Sequence, residues 1–180
     1  MGKTTLVQLV YNNEKVVKNF GEQRMWICVS DDFKVERLLN EMVESLTGHK
    51  YETRNVQGIV RNLREKLNGR RYLLVLDDVW NEYPDKWECM RNSLLGIGGS
   101  KGSKIIATTL SMDVVSTMRT SLSLTHHLNQ LPENDSWTMF RKRAFANGGP
   151  IETSYLVAIG RKMVKTPLAI NGIQPILRSV

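Results

Sequence analysis

Five consecutive apolar residues at positions 72–76 are followed directly by two carboxylates, Asp77 and Asp78. An apolar run without alternation is typical of a strand that is covered on both faces, as the strands of parallel α/β sheets are. The carboxylates follow at the carboxyl end of this strand, which is the edge where open α/β sheets bind their ligands. The pattern therefore predicts a buried strand with a candidate site just beyond its end.

Two further apolar runs, at 24–29 and 104–109, predict buried strands, and the second ends in hydroxyl residues at the same ligand-binding edge. A last short strand is predicted over 122–128. Apolar residues at helical spacing predict helices over 4–11, 14–19, 35–46, 56–67, 87–95, 112–118, 132–145, 151–164 and 168–177. Strands that alternate with helices in this way predict an α/β fold with a parallel sheet and flanking helices.

The first residues of the chain, Gly2, Lys3 and Thr4, have the pattern that closes a phosphate loop and opens a helix. In such a loop the backbone N–H groups and the helix N-terminus hold phosphate, the lysine reaches the outer phosphates, and the hydroxyl binds Mg²⁺. The same residues could instead form an ordinary helix start, in which a glycine and two threonines only cap the helix. The downstream carboxylates favour the phosphate loop, because P-loop NTPases need acids at the end of such a strand. Alternatively, Asp77 and Asp78 merely cap a turn.

Composition sets the class of protein. With 180 residues, of which 41% are apolar, the chain is long enough for one sizeable core. No apolar stretch approaches the roughly 18–20 residues that cross a bilayer, and no signal-like segment precedes Gly2, so we expect a soluble, cytoplasmic protein without a membrane span. Cys28 lies within an apolar strand pattern, which predicts a buried thiol rather than a disulfide or zinc ligand.

The formal net charge of +7 raises the question of nucleic-acid binding. The basic clusters, at 70–71, 141–143 and 161–162, are scattered over different segments and lack interleaved aromatic residues for base stacking. This distribution favours solvated faces or a surface for a partner protein, and makes nucleic acid the less favoured partner.

Six motifs occur in order along nearly the whole chain. They are Gly2-Lys3-Thr4-Thr5-Leu6, Trp26-Ile27-Cys28-Val29-Ser30, Leu73-Leu74-Val75-Leu76-Asp77-Asp78-Val79-Trp80, Gly102-Ser103-Lys104-Ile105-Ile106-Ala107-Thr108-Thr109, Asp135-Ser136-Trp137 and Pro167-Leu168-Ala169-Ile170. In this order and rough spacing, the motifs resemble the NB-ARC domain of plant intracellular disease-resistance receptors. The tryptophan at position 80, after the acidic pair, resembles the pattern of the coiled-coil class of these receptors rather than the class with a TIR domain.

The resemblance implies a switch controlled by ADP and ATP, at most a slow ATPase. ADP holds the receptor closed, and exchange for ATP opens it and permits oligomerisation in the defence response. The implied fold is a P-loop NTPase-type nucleotide-binding core over 1–131, followed over 132–180 by the start of the helical ARC1 subdomain. The implied partners are an adenine nucleotide, the coiled coil and leucine-rich repeats of the same receptor, and other receptor copies.

The resemblance also implies roles for single residues. Lys3 would meet the outer phosphates, Thr4 and Asp77 would hold Mg²⁺, and Asp78 would assist hydrolysis. The other residues that it places at the nucleotide are Gly2, Thr5, Thr109 and Pro167, of which the proline would lie against the adenine and ribose.

Three departures from the family pattern stand out. The strand and glycines that precede the phosphate loop in the family are missing, which predicts unpaired backbone groups on the strands at 72–76 and 104–109 and a loosely packed fragment that does not hold nucleotide. Leu110 stands where the family has an arginine that senses the terminal phosphate. Residues 165–166 lack the glycines expected before Pro167.

Two other functions remain open from the sequence. One is a P-loop ATPase of another group, including those that act on nucleic acids, which would show multiple turnover where a switch retains its nucleotide. The other is a purely protein-binding surface on the helices after residue 131, which removal of nucleotide would leave unaffected.

Overall fold

The computed structural model describes residues 2–118, 125–129, 131–145 and 153–164. The chain divides into two compact units, Gly2–His126 and a second unit that begins at His127. The elements in chain order are α1 (Lys3–Tyr11), α2 (Glu14–Phe20), β1 (Arg24–Ser30), α3 (Val35–Thr47), α4 (Val56–Leu67), β2 (Leu73–Val79), α5 (Pro84–Ile97), β3 (Lys104–Ala107), α6 (Met112–Met118), α7 (Glu133–Ala144) and α8 (Ser154–Val164).

The sheet of the first unit is parallel and has the order β1-β2-β3. The middle strand, β2, pairs Leu76 with Ile27 on one side and with Ala107 on the other. Because both edges of β2 are paired and both of its faces are covered, residues 72–77 are all buried. The predicted α/β fold with a parallel sheet and flanking helices is confirmed.

The main core lies on the face of the sheet that α3, α4 and α5 cover. Leu74 and Leu76 of β2 point into it, and α3 buries residues at the helical spacing of its sequence. Each large apolar side chain that is fully buried contributes about 1.5–3 kcal/mol relative to an exposed one. The largest fully buried side chains are Met25, Ile27, Leu38, Leu39, Met42, Ile59, Leu63, Leu67, Leu74, Leu76, Met90 and Ile97.

The opposite face of the sheet carries a smaller cluster, which fixes the first helix against β2. Val7 of α1 packs with Leu73 and Val75, the two β2 residues that alternate with those of the main core. The ring of Tyr11 meets Trp26 edge to face, with centroids 5.4 Å apart. This packing holds the start of α1 beside the end of β2.

The outer strands are less buried than the sequence predicts. In β1, Met25 and Ile27 are buried but Cys28 is exposed, so the predicted buried thiol is wrong. In β3, Ile105 is 43% exposed, so this strand is not buried either. Both strands pair on one side only within the described residues, and an apolar run does not reveal which position a strand takes in the sheet.

The pairing also corrects the prediction of two strands with unpaired edges. β2 has a hydrogen-bonded neighbour on each side, so its backbone groups are not orphaned. Of the two strands named, β3 alone has an unpaired edge within the described part of the sheet.

Several element boundaries differ from the predictions. Asp77 and Asp78 are among the last residues of β2 and do not lie beyond the strand, because the ladder with β1 continues to Ser30 opposite Val79. The fifth helix starts at Pro84, before the predicted start at residue 87, since proline suits the first position of a helix. Residues 125–128 are not in a strand, and 122–124 lie outside the described residues, as do 168–177.

The second unit packs α7 against α8. The rings of Trp137 and Phe140 stack with centroids 5.6 Å apart, and Arg161 lies over Trp137. Gly160 permits this close approach, because a Cβ there would lie 2.6 Å from Phe140 and 2.8 Å from Trp137. The assignment of the two units to a nucleotide-binding core and a helical subdomain stays a prediction. No helix in the described ranges is both long and apolar enough to pass through a bilayer.

Candidate functional site

The site is built around the start of α1, whose N-terminus lacks a side-chain cap. Gly2 precedes the helix in the left-handed conformation, with φ of 82°, which glycine adopts at no steric cost. The first bond of the helix runs from the N–H of Leu6 to the carbonyl of Gly2, at 2.8 Å. The N–H groups ahead of it have no acceptor within the helix and carry its positive dipole end, which suits an anion.

Asp77 faces this helix start from the end of β2. Its Oδ1 atom accepts a hydrogen bond of 3.2 Å from the hydroxyl of Thr4 and one of 2.5 Å from the hydroxyl of Thr108. Asp77 is only 6% exposed, whereas Thr4 is exposed. Two of the residues predicted to share a metal, Thr4 and Asp77, are therefore in direct contact.

Asp78 is held in an unusual conformation next to this pair. Its φ of 62° is left-handed, a region that a residue with a side chain occupies only where its surroundings hold it there. Its N–H donates to the hydroxyl of Thr108 at 2.9 Å, and the N–H of Val79 donates to the carbonyl of Thr108 at 2.8 Å. The side chain of Asp78 is partly exposed, so it is accessible at this edge.

The residues fit a magnesium ion that arrives with a nucleotide. Thr4 and Asp77 offer a hydroxyl and a carboxylate oxygen, the hard ligands that Mg²⁺ prefers. Among the described residues there is no group of three or more His, Cys, Asp or Glu side chains that would form a metal cage of protein ligands alone. Proteins bind Mg²⁺ at phosphate sites through one or two such side chains, with phosphate and water completing the shell.

Lys3 and Thr5 lie at the same helix start. Lys3 is half-buried and, in the described part of the chain, its side chain makes no ion pair or hydrogen bond, so its ammonium is available to a ligand. Thr5 is exposed beside it. The structure thus brings Gly2, Lys3, Thr4 and Thr5 together with Asp77.

The remaining predicted residues are placed differently. The hydroxyl of Thr109 accepts the N–H of Ser111 at 3.0 Å, which stabilises the turn before α6. Leu110 follows in that turn and is 61% exposed. Pro167 lies outside the described residues.

Thr108 is the site residue that the sequence reasoning missed. The resemblance pointed to its neighbour Thr109, yet Thr108 touches both carboxylate residues. No sequence signal separates the two threonines, because the pairing of Leu76 with Ala107, which brings Thr108 beside Asp77, is a feature of the tertiary structure.

Comparison with known proteins agrees with this geometry. Residues 1–149 match the NB-ARC domain family. The chain is 41% identical to disease resistance protein RGA2 and 40% identical to putative disease resistance protein RGA1, both of Solanum bulbocastanum, over 98% and 99% of its length. It is 34% identical to putative disease resistance RPP13-like protein 1 of Arabidopsis thaliana over 99% of its length.

These relatives are much longer proteins, since the matched segment spans 18% of RGA2 and 17% of the RPP13-like protein. The family match includes the helix start at Lys3, the acidic end of β2 and the turn at Thr108. The NB-ARC domain is a nucleotide-binding domain. The chain belongs to the NB-ARC domain family.

Proposed function

We propose that this chain is the nucleotide-binding segment of a plant disease-resistance receptor, in which bound ADP and ATP select the closed and the open state. The contact between Thr4 and Asp77 carries the proposal, because a hydroxyl and a carboxylate that suit Mg²⁺ lie together at an uncapped helix N-terminus. The disease-resistance relatives supply the biological setting.

The phosphates would bind at the start of α1. The backbone N–H groups there point out of the helix. Lys3 adds a positive charge that forms no ion pair with any of the described residues. ADP and ATP both carry a diphosphate, whose anionic oxygens suit the free N–H groups and the lysine. The site therefore suits ADP as well as ATP.

Thr4 and Asp77 would hold Mg²⁺ at the outer phosphates. When bound, the ion supplies positive charge that neutralises the phosphate oxygens. Asp77 accepts two hydroxyl donors at one oxygen, so it is held as an acceptor and not as a donor. Asp78, partly exposed in the adjacent position, would orient the water that attacks the terminal phosphate.

The switch would act on parts of the receptor that lie outside this chain. Because the chain spans only 18% of the length of RGA1 and of RGA2, the coiled coil, the leucine-rich repeats and other receptor copies are the proposed partners of the two states. Slow hydrolysis fits this role better than rapid multiple turnover, since each nucleotide-bound state must last long enough for the rest of the receptor to respond to it.

The test is to purify the full-length receptor that carries this chain and to measure its nucleotide content and turnover. We expect about one ADP per chain after purification, Mg²⁺-dependent binding of ATP after ADP is removed, and release of product slower than hydrolysis. A protein that holds no nucleotide with or without Mg²⁺ would refute the site. Rapid multiple turnover with no retained ADP would refute the switch.

A further inference from the structure

All the polar groups of Thr108 are bonded to the acidic end of β2. Its N–H donates to the carbonyl of Leu76 at 3.0 Å and its carbonyl accepts the N–H of Val79 at 2.8 Å. Its hydroxyl donates to Asp77 at 2.5 Å and accepts from the N–H of Asp78 at 2.9 Å. Thr108 is 6% exposed, so water does not compete for these bonds.

One of the two hydroxyl bonds, the one from the N–H of Asp78, replaces regular strand pairing. The ladder between β2 and β3 ends where Leu76 pairs with Ala107. Beyond it, Asp78 turns into the left-handed region, and its N–H is satisfied by a side chain instead of by the backbone of β3. A non-glycine residue in this conformation persists only where its neighbours fix it. The hydroxyl of Thr108 is one such fixed contact.

The carboxylate of Asp77 accepts hydrogen bonds from two threonines, Thr4 and Thr108, which have different roles. Thr4 belongs to the proposed phosphate and metal site, so its hydroxyl would move to the metal when Mg²⁺ binds. Thr108 lies directly after β3, outside the proposed phosphate and metal site, and its bond to Asp77 is the shorter of the two. Thr108 would therefore keep Asp77 directed towards α1 both with and without Mg²⁺.

We propose that Thr108 is a positioning residue that sets the orientation of both carboxylates, Asp77 through its hydroxyl proton and Asp78 through its hydroxyl oxygen. The part of the proposal that concerns Mg²⁺ rests on the proposed function. The hydrogen-bond arrangement itself does not. Thr109 cannot take this role, because its hydroxyl accepts the N–H of Ser111.

The test compares Thr108→Val, which keeps the β-branched shape but removes the hydroxyl, with Thr108→Ser, which keeps the hydroxyl. Thr47→Val is the matched control, because the hydroxyl of Thr47 bonds the carbonyl of Val43 and the backbone of His49, around the end of α3, and has no bond to Asp77 or Asp78. The first readout is hydrogen exchange of single amides in the nucleotide-free, full-length protein, resolved by fragmentation in the mass spectrometer.

In Thr108→Val we expect the amide of Asp78 to exchange about twofold to tenfold faster, the range expected for one lost hydrogen bond. The amide of Val79 should stay protected, since its acceptor is a backbone carbonyl. Thr108→Ser and Thr47→Val should leave both amides unchanged. If Thr108→Val does not fold, Thr108→Cys replaces it, and its weaker thiol should give Asp78 an intermediate exchange rate. An unchanged Asp78 amide in the variant that folds would overturn the proposal.

The second readout is the ratio of ADP affinity with Mg²⁺ to ADP affinity with a chelator. We expect this ratio to fall about tenfold to a hundredfold in Thr108→Val, as for lost partners of metal ligands, and to recover in Thr108→Ser. Affinity in the chelator should stay the same, which separates positioning from general damage. Faster exchange at Asp78 with an unchanged ratio would overturn the positioning role and leave the proposed function intact. A wild-type protein without ADP binding would overturn the proposed function and the Mg²⁺ part, while the exchange rates still decide the hydrogen-bond arrangement.

Discussion

The hydroxyl of Thr4 donates a hydrogen bond of 3.2 Å to the carboxylate of Asp77, although 73 positions of sequence separate the two residues. The contact exists because Val7, on the next turn of α1, packs against β2 beneath it. The site is thus assembled by the packing of one helix on the central strand.

Lys3→Ala should weaken ADP binding about tenfold to a hundredfold, because a hydrogen bond to a charged group contributes about 1.5–3 kcal/mol. Calorimetry on the full-length receptor measures the affinity. Lys18→Ala is the control, since Lys18 is an exposed lysine in the last turn of α2. Equal ADP affinity in Lys3→Ala and wild type would remove Lys3 from the phosphate site.

Leu110→Arg should raise the affinity for ATP about tenfold to a hundredfold and leave ADP almost unchanged. Leu110 follows Thr108 and Thr109 at the edge of the sheet that carries Asp77, and its exposed side chain leaves room for a guanidinium. Only ATP has a γ-phosphate to meet it. The present leucine would accordingly bias the protein towards the ADP state.

Titration of both nucleotides measures this change, with Leu95→Arg as the control because Leu95 is similarly exposed, on α5. If the ratio of ATP affinity to ADP affinity is the same in Leu110→Arg as in wild type, position 110 does not sense the terminal phosphate.

Gly160→Ala should destabilise the second unit by about 1–3 kcal/mol, the usual cost of an overpacked contact. The added methyl group would lie 2.6 Å from Phe140 and 2.8 Å from Trp137, closer than side-chain carbons approach. Faster hydrogen exchange across α7 and α8 is the expected result. Gly58→Ala, whose Cβ meets only the side chain of Asn55 at 3.2 Å or more, is the control for adding a methyl group to a helix. Equal protection of α7 and α8 in Gly160→Ala would argue against this packing.

Tyr72→Phe should reduce the loss of stability at alkaline pH. Burial raises the pKa of Tyr72 above its ordinary value of 10.0, so the folded state favours the neutral phenol. The corresponding stability is present below pH 10 and is lost as the pH rises through the raised pKa. Phenylalanine does not titrate, so its curve of unfolding free energy against pH should fall less steeply above pH 10.

Denaturant unfolding at several pH values measures this slope, and Tyr83→Phe is the control because Tyr83 is largely exposed. Part of the alkaline loss should remain in Tyr72→Phe, since burial also raises the pKa of Tyr11. Identical slopes in Tyr72→Phe and wild type would show that Tyr72 does not titrate from a buried position.

The sequence by itself determined most of the helices and strands and singled out Thr4 and Asp77. The periodic apolar residues of α3 and α4 predicted both helices to within a residue or two, because helical spacing is a local property that packing preserves. Thr4 and Asp77 were found from their local patterns, a helix start and a strand end. These patterns hold their meaning wherever the elements lie in the fold.

Tertiary structure alone decided which strands are covered and which threonine serves the site. Cys28 and Ile105 are exposed because β1 and β3 flank β2 in the sheet, and the order of strands depends on pairing between distant segments. The choice between Thr108 and Thr109 depends on register and on the left-handed turn at Asp78. Both threonines follow β3 directly, and a difference of one position separates a hydroxyl that holds Asp77 from one that accepts the N–H of Ser111 in the turn before α6.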